Sequence, residues 1–430
     1  MPDRKKKKPL VPKLRFPEFK DAGEWEKRKL GDVYRFIPTN SLSREKLTYD
    51  SGRIRNIHYG DIHTKLRALF DIEKESLPFI NDGISLKESN NDGFCVLGDV
   101  IFADASEDVD DIGKAIEIVN TGGQKIVCGL HTLHARQIAP EFIVGFPGYL
   151  FQSRGIRQQI QRESQGAKVL GISASRLATI RIFIPKQPEQ QKIADCLSSL
   201  DELIELEAQR CEALKAHKKG LMQQLFPLEG ETKPSLRFPE FRGAGEWEVK
   251  TLEQVAIYEN GKAHEKEIDD QGKYVVVNSK FISTEGEVKK YSHSANLLAK
   301  KDDILMVLSD VPNGKAIAKC FFVDKDNRYT VNQRICKLST KNAVSKLLFY
   351  ILDRNAYFLA FDDGVKQTNL KKDDVLHCPL QLPEDKAEQQ KIADCLSSLD
   401  ELIELQSRKV EALKQHKKGL MQQLFPQEVI

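Results

Sequence analysis

Glu189 to Leu206 reads EQQKIADCLSSLDELIEL, and the same 18 letters return at Glu388 to Leu405, an offset of 199. His217 to Pro227 (HKKGLMQQLFP) returns at His416 to Pro426 with the same offset. Upstream, Leu14 to Phe19 (LRFPEF) and Ala22 to Glu26 (AGEWE) recur as Leu236 to Phe241 and Ala244 to Glu248, at an offset of 222. Self-similarity on this scale marks an internal duplication. The offsets differ by 23, so the first unit carries 23 more residues between its matched frames than the second. Frames were kept while the inserts between them diverged.

Each downstream frame has the pattern of a long helix. Ile193, Leu197, Leu200, Ile204, Cys211, Leu214, Leu221 and Leu225 follow steps of four and three, and Ile392, Leu396, Leu399, Ile403, Val410, Leu413, Leu420 and Leu424 repeat them. That is a coiled-coil seam. Its polar interruptions fall in matched places, Glu207 and Lys218 in one copy, Gln406 and Lys417 in the other. Leu203, Leu206, Leu402 and Leu405 widen the stripe beyond a two-stranded seam, so a further partner surface is expected. A helix of about 36 residues is a rod of roughly 54 Å, suited to setting a distance.

The inserts change character. Short apolar runs bounded by turn residues, Gly93 to Ala103, Lys273 to Asn278 and Asp303 to Leu308, predict strands. Phe151 to Glu163 and Ala343 to Leu359 predict helices, so each insert reads as an α+β domain. Asp99-Val-Ile-Phe followed by Gly113-Lys-Ala aligns with Asp303-Ile-Leu-Met followed by Gly314-Lys-Ala, and Gly166-Ala-Lys168 aligns with Gly364-Val-Lys366. The two inserts therefore share a fold.

The 430 residues carry a formal net charge of +3, which gives no whole-molecule signature of a nucleic-acid binder, so any basic surface is local. The run Arg4 to Lys8 reads as a solvated tail with a minor role in phosphate attraction. Eight scattered cysteines show neither a Cys-x-x-Cys pair nor a histidine at zinc spacing, so no metal site is expected and the thiols read as buried groups in a reducing cytoplasm. No apolar run approaches the ~20 residues of a membrane helix, and no signal-peptide core follows the charged N-terminus; a cytoplasmic protein without a membrane partner is expected. Neither G-x-G-x-x-G, G-x-x-x-x-G-K-[ST], nor an Asn/Asp-Pro-Pro-Tyr segment occurs, so the chain is expected to be non-catalytic and to bind no cofactor itself.

The order variable domain, spacer helix, variable domain, spacer helix resembles the specificity subunit of type I restriction-modification enzymes, over nearly the whole chain. The residues that carry the likeness are EQQKIA at Glu189 and Glu388, the leading segments around Trp25 and Trp247, Gly129-Leu-His-Thr132, and Asn332-Gln-Arg334. The resemblance implies two target recognition domains, one per half of a split site on double-stranded DNA. They are separated by two helices paired as an antiparallel coiled coil with pseudo-twofold symmetry. It also implies docking of two methyltransferase subunits, with restriction or translocase subunits as further partners. S-adenosylmethionine, ATP and Mg2+ would then belong to the partner subunits. The expected boundaries are 1–13 for a basic tail, 14–186 and 228–384 for the recognition domains, and 187–227 and 385–430 for the spacers.

Base reading needs paired donors and acceptors. Candidates in the first domain are Tyr59, Asp61, His63, His131, Thr132 and Lys168; in the second they are Asn278, Ser279, Lys280, Asn332, Gln333, Arg334, Lys366, Gln367, Thr368 and Asn369. Each could equally be a turn or cap residue. Lys168 and Lys366 suit phosphate better than bases. Lys168-Val-Leu-Gly-Ile172 differs from Lys366-Gln-Thr-Asn-Leu370, so an asymmetric target is expected. Trp25 and Trp247 read as core anchors rather than stacking platforms. His217-Lys-Lys219 and His416-Lys-Lys418 either complement helix dipoles or touch DNA between the half-sites. The rival reading is a coiled-coil scaffold whose variable domains bind protein.

Overall fold

The computed structural model describes residues 11–84, 86, 91–264, 267–312 and 314–426; the basic run at Arg4 to Lys8 lies outside them. The chain forms two compact units that do not follow its linear order. One comprises residues up to Ala208 together with Arg408 onward, and the other runs from Gln209 to Ser407. Each long helix therefore contributes residues to both units.

Those helices are single elements, Gln187–Leu225 and Lys386–Leu424, of 39 residues each. In the first unit the early part of the first helix runs antiparallel to the late part of the second. Lys417 bonds Asp201 at 2.6 Å, Lys409 bonds Glu207 at 2.6 Å, and Ile193 and Leu197 share a core with Leu420 and Leu424. In the second unit Lys218 meets Asp400, and Leu221 and Leu225 pack with Ile392 and Leu396. Both ends of the expected seam are buried: Ile193, Leu197, Cys211, Leu225, Ile392, Leu396, Val410 and Leu424 lie below one-tenth exposure, while Leu200, Ile204, Leu214, Leu399, Ile403 and Leu413 are half-buried.

The seam's lysines are satisfied by a device repeated in each unit. In the first, Lys417 lies over the Tyr149 ring while the Tyr149 hydroxyl donates to Asp201 at 2.8 Å. Its twin is Lys218 over Tyr350, whose hydroxyl donates to Asp400 at 2.6 Å. A charged side chain that only one register can pair selects that register. These clusters thus fix the antiparallel alignment at matched points.

A second repeated device explains why the leading segments were kept. Arg15 forms a two-pronged pair with the buried Glu189 at 2.7 and 2.6 Å, and Arg237 does the same with Glu388 at 2.6 Å on both prongs. The next residue in each frame, Gln190 or Gln389, is also buried; it accepts from the backbone of Ile143 or Val344 and donates to the carbonyl of Pro185 or Pro383. Glu-Gln-Gln therefore locks each domain onto the first turn of its own helix. Trp25 and Trp247 are core residues, as expected.

The inserts are α+β in both units. The first has a five-stranded sheet, in the order Tyr34–Ile37, Thr132–Gln137, Val100–Ala103, Ala115–Asn120, Leu69–Asp71, and a four-stranded sheet, in the order Ile126–Cys128, Arg55–Ile57, Phe79–Ile80, Leu47–Thr48. The second has four strands, Ala256–Asn260, Ile335–Thr340, Ile304–Val307, Cys320–Phe322, and three, Tyr291–Ser292, Tyr274–Val277, Tyr329–Val331. Parallel pairing of 126–128 with 55–57 matches that of 329–331 with 274–277.

Three elements are shorter than the sequence pattern suggests. Gly93 to Ala103 is strand only from Val100, after a turn at Gly98 with φ of 82°. The helix expected at Phe151 to Glu163 begins only at Arg154 and runs to Glu163; a separate short helix, Phe146–Leu150, precedes it. That at Ala343 to Leu359 is Ser345–Leu352 and Ala356–Leu359, interrupted where Arg354 takes φ of 56°. Among the described residues, no helix is long and apolar enough to cross a membrane.

Candidate nucleic-acid interface

In the first unit the sequence candidates converge on one sheet edge. Strand Arg55–Ile57 ends at His58, whose side chain accepts from the Gly60 N–H and starts the short helix Tyr59–Thr64. Its parallel neighbour Ile126–Cys128 turns through residues 129–131 into Thr132–Gln137, and that turn delivers His131, exposed and in the left-handed region at φ of 55°. Tyr59, half-buried, packs edge-on against His131 at 5.2 Å and against His63 at 5.8 Å.

The strand Ala105–Ser106 anchors the rest. His63 Nε2 lies 2.9 Å from the Ala105 carbonyl, His131 Nδ1 lies 3.1 Å from Asp104, and Ala105–Ser106 pairs with Leu170–Gly171. The exposed Lys168 lies two residues before that pairing. Lys114 donates to the His63 carbonyl at 2.7 Å, adding a second cation beside the cluster. The result is a patch of aromatic, imidazole and ammonium groups, the mixture that meets base edges and phosphates.

Two candidates have other work. Asp61 is buried and held by the Arg44 guanidinium at 2.9 and 3.0 Å. Thr132 is buried and donates to the Gly129 carbonyl. Neither offers an edge to solvent. Sequence reading overlooked Arg44, whose half-exposed guanidinium stays charged through its bonds to Asp61, and His58, whose imidazole is pushed down by burial and by Arg44 and so stays neutral near pH 7.

The second unit builds its counterpart with different chemistry. Asn278 ends strand Tyr274–Val277 and caps the helix Ser279–Ser283 by accepting from the Phe281 N–H at 2.9 Å. Ser279 is half-buried and Lys280 is exposed on that helix. Asn332, Gln333 and Arg334 form the turn between Tyr329–Val331 and Ile335–Thr340, with the Asn332 N–H donating to the Val277 carbonyl at 3.0 Å. Asn332 is half-buried, and Gln333 and Arg334 are exposed. Backbone packing here is tight: a Cβ on Gly261 would lie 1.9 Å from the Asn332 carbonyl oxygen.

The hairpin matching Lys168 carries Lys366, Gln367 and Asn369 exposed, with Thr368 buried on Asp362. Ser309–Asp310 pairs with Thr368–Asn369, as Ala105–Ser106 pairs with Leu170–Gly171. Gln367 donates to Ser309 at 2.6 Å. Asp310 accepts from the Val311, Ala316 and Ile317 N–H groups and so shapes the loop beside the hairpin. Topologically matched positions thus hold His131 against Asn332–Arg334, and Lys168 against Lys366–Asn369.

The sequence profile of the type I restriction modification DNA specificity domain matches residues 22–216 and 244–415. The chain belongs to that family. It is thus the DNA-sequence-recognition subunit of a type I restriction-modification system, a family that is generally non-catalytic. A specificity subunit of the type I restriction enzyme MjaVIII from Methanocaldococcus jannaschii is 26% identical over 297 residues, covering 64% of this chain and 69% of that one. Among solved structures, the type I system S subunit from M. genitalium covers 98% of this chain and 100% of its own, with a TM-score of 0.58 at 16% identity. A chain from a study of complex assembly in a type I system covers 94% and 97%, with a TM-score of 0.56 at 16% identity. At such identities these two establish the fold of the specificity subunit, including its duplicated domains and long helices.

Outside the candidate interface, Leu203, Leu206, Leu402 and Leu405 are 39%, 62%, 51% and 61% exposed. The stripe widened at these positions is thus not consumed by helix pairing.

Proposed function

We propose that this specificity subunit reads an asymmetric, two-part DNA target, one half through each variable domain. The first half-site meets Tyr59, His131 and Lys168, with His63, whose Nε2 lies on the Ala105 carbonyl and whose Nδ1 is buried, supporting Tyr59 from behind; the second meets Asn278, Ser279, Lys280, Asn332, Gln333, Arg334, Lys366, Gln367 and Asn369. The carrying observation is that equivalent turns and hairpins on a shared topology bear different donor sets: the turn that carries His131 in the first unit carries Asn332–Arg334 in the second, and the hairpin that carries Lys168-Val-Leu carries Lys366-Gln-Thr. Matched scaffolds with unlike side chains read unlike sequences.

The two 39-residue helices, each about 58 Å long, act as the spacer that fixes the gap between half-sites. Leu203 with Leu206, and Leu402 with Leu405, give two equivalent apolar patches on identical sequence, which suits two copies of one methyltransferase subunit. S-adenosylmethionine then belongs to those subunits, and ATP with Mg2+ to any restriction subunit that joins through them. A mobility-shift selection from a randomised duplex pool, with the methyltransferase subunit present, tests the reading. One split motif with unequal halves and a constant gap is expected; recovery of no motif removes it in favour of a protein-binding scaffold.

A further inference from the structure

Cys95 and Cys128 are 33 positions apart in sequence, yet their sulfurs lie 3.5 Å from one another. A ring nitrogen of His134 lies within 4.8 Å of both, and all three residues are buried. The sulfurs are too far apart for a disulfide, whose bond is ~2.05 Å. They are close to the roughly 3.7 Å that separates two thiolates on one tetrahedral ion with metal–sulfur bonds of ~2.3 Å.

The histidine is prepared in a particular way. Its Nε2 lies 2.7 Å from Asp99 Oδ2, and Asp99 is itself held by Arg136 at 2.8 and 2.7 Å. A carboxylate only accepts here, so Nε2 donates and Nδ1 is the nitrogen left to ligate. That Nδ1 is buried without a hydrogen-bond partner among the described residues. A carboxylate that fixes one imidazole nitrogen while the other is left to ligate is how metal-binding histidines are oriented. Charge also closes: two thiolates balance one dication, Arg136 balances Asp99, and the imidazole is neutral, so no net charge is buried.

We infer that Cys95, Cys128 and His134 hold a Zn2+ ion in the first variable domain, with a water completing its coordination. Both thiol protons leave to solvent when the ion binds. Cys128 ends a strand of the four-stranded sheet and His134 lies in a strand of the five-stranded sheet. The ion therefore ties the two sheets together across the turn that carries His131, and its role is to brace that turn. Among the described residues the second unit has no counterpart: Val331 stands where Cys128 does, and Lys337, paired with Glu259 at 2.6 Å, stands where His134 does. The described residues thus offer one such site.

Elemental analysis of the full chain, purified without chelator, tests this directly. Close to one zinc per chain is expected, falling below about a tenth in Cys128→Ser and unchanged in Cys196→Ser. Replacement by Co2+ should give the near-ultraviolet thiolate-to-cobalt absorption in the wild-type chain, so a Cys128→Ser chain that failed to fold would leave the question decided by the wild type. Wild-type protein that holds less than about a tenth of an equivalent and takes up neither Zn2+ nor Co2+ overturns the site. So does metal that survives Cys128→Ser with an unchanged cobalt spectrum.

Discussion

Replacing Arg237 by Met strips a buried carboxylate of both its guanidinium bonds. Glu388 is 1% exposed and Arg237 11% exposed, so water does not replace the lost partner. Leaving one member of such a pair uncompensated costs about 3–5 kcal/mol. Among the described residues Trp247 Nε1 has no hydrogen-bond partner, so Glu388 keeps no indole donor when the guanidinium is removed. The first unit differs in its indole: Trp25 Nε1 donates to Glu189 at 3.2 Å, so Arg15→Met leaves that carboxylate one donor. A hydrogen bond to a charged group contributes about 1.5–3 kcal/mol, so Arg15→Met should be milder than Arg237→Met by roughly 1.5 kcal/mol. The double variant Arg237→Met with Glu388→Leu should recover most of the loss, since hydrophobic replacement of a buried pair is often near neutral. Urea unfolding read by hydrogen-exchange mass spectrometry reports peptides of each unit separately. Equal losses for Arg15→Met and Arg237→Met, or losses below about 1 kcal/mol in both, would refute the reasoning.

Further outcomes follow from single contacts. Glu117 accepts from the Gly145 and Gly148 N–H groups, each at 2.7 Å, and burial pushes its carboxyl up to about 8. The folded chain thus keeps a proton that the unfolded chain sheds near pH 4.5. This group's contribution is fully present below that pH and is lost as pH rises through about 8, at up to ~1.4 kcal/mol per unit; a urea midpoint that falls from pH 5.5 to 8.5 equally in wild type and Glu117→Gln argues against it. His131→Ala should relax sequence preference in one half-site and Asn332→Ala in the other, each by about 1–3 kcal/mol of discrimination. Lys168→Ala and Lys366→Ala should weaken binding to all duplexes and lower the salt slope by about 1 each; binding titrations over salt and sequence separate the two behaviours. Leu206→Glu should leave one methyltransferase copy bound, and Leu206→Glu with Leu405→Glu none, by light scattering of the assembled complex; full stoichiometry in the double variant speaks against these patches.

The frames were legible because they repeat, and the seam because its period is strict from Ile193 to Leu225. The α+β inserts could be read from apolar runs, but their interruptions at Gly98 and Arg354 depend on backbone conformations that residue type alone leaves open. What the sequence concealed were partnerships across long separations. Arg15 and Glu189 lie 174 positions apart, and Lys417 and Asp201 216 apart. For the same reason Asp61 looked like a reader and is the buried partner of Arg44. His131 and Lys168 share a patch only because Ala105–Ser106 brings their loops together.

The spacer helices carry the central claim, that continuous rods fix the gap between two unlike half-sites. Removing residues 203–209 and 402–408 takes one heptad from each helix, about 10.5 Å, or roughly three base pairs at 3.4 Å per step. Mapping the methylated adenines in DNA from cells carrying this variant with its methyltransferase should return the wild-type half-site sequences separated by a gap about three base pairs shorter. An unchanged gap, or altered letters within either half-site, would contradict the account.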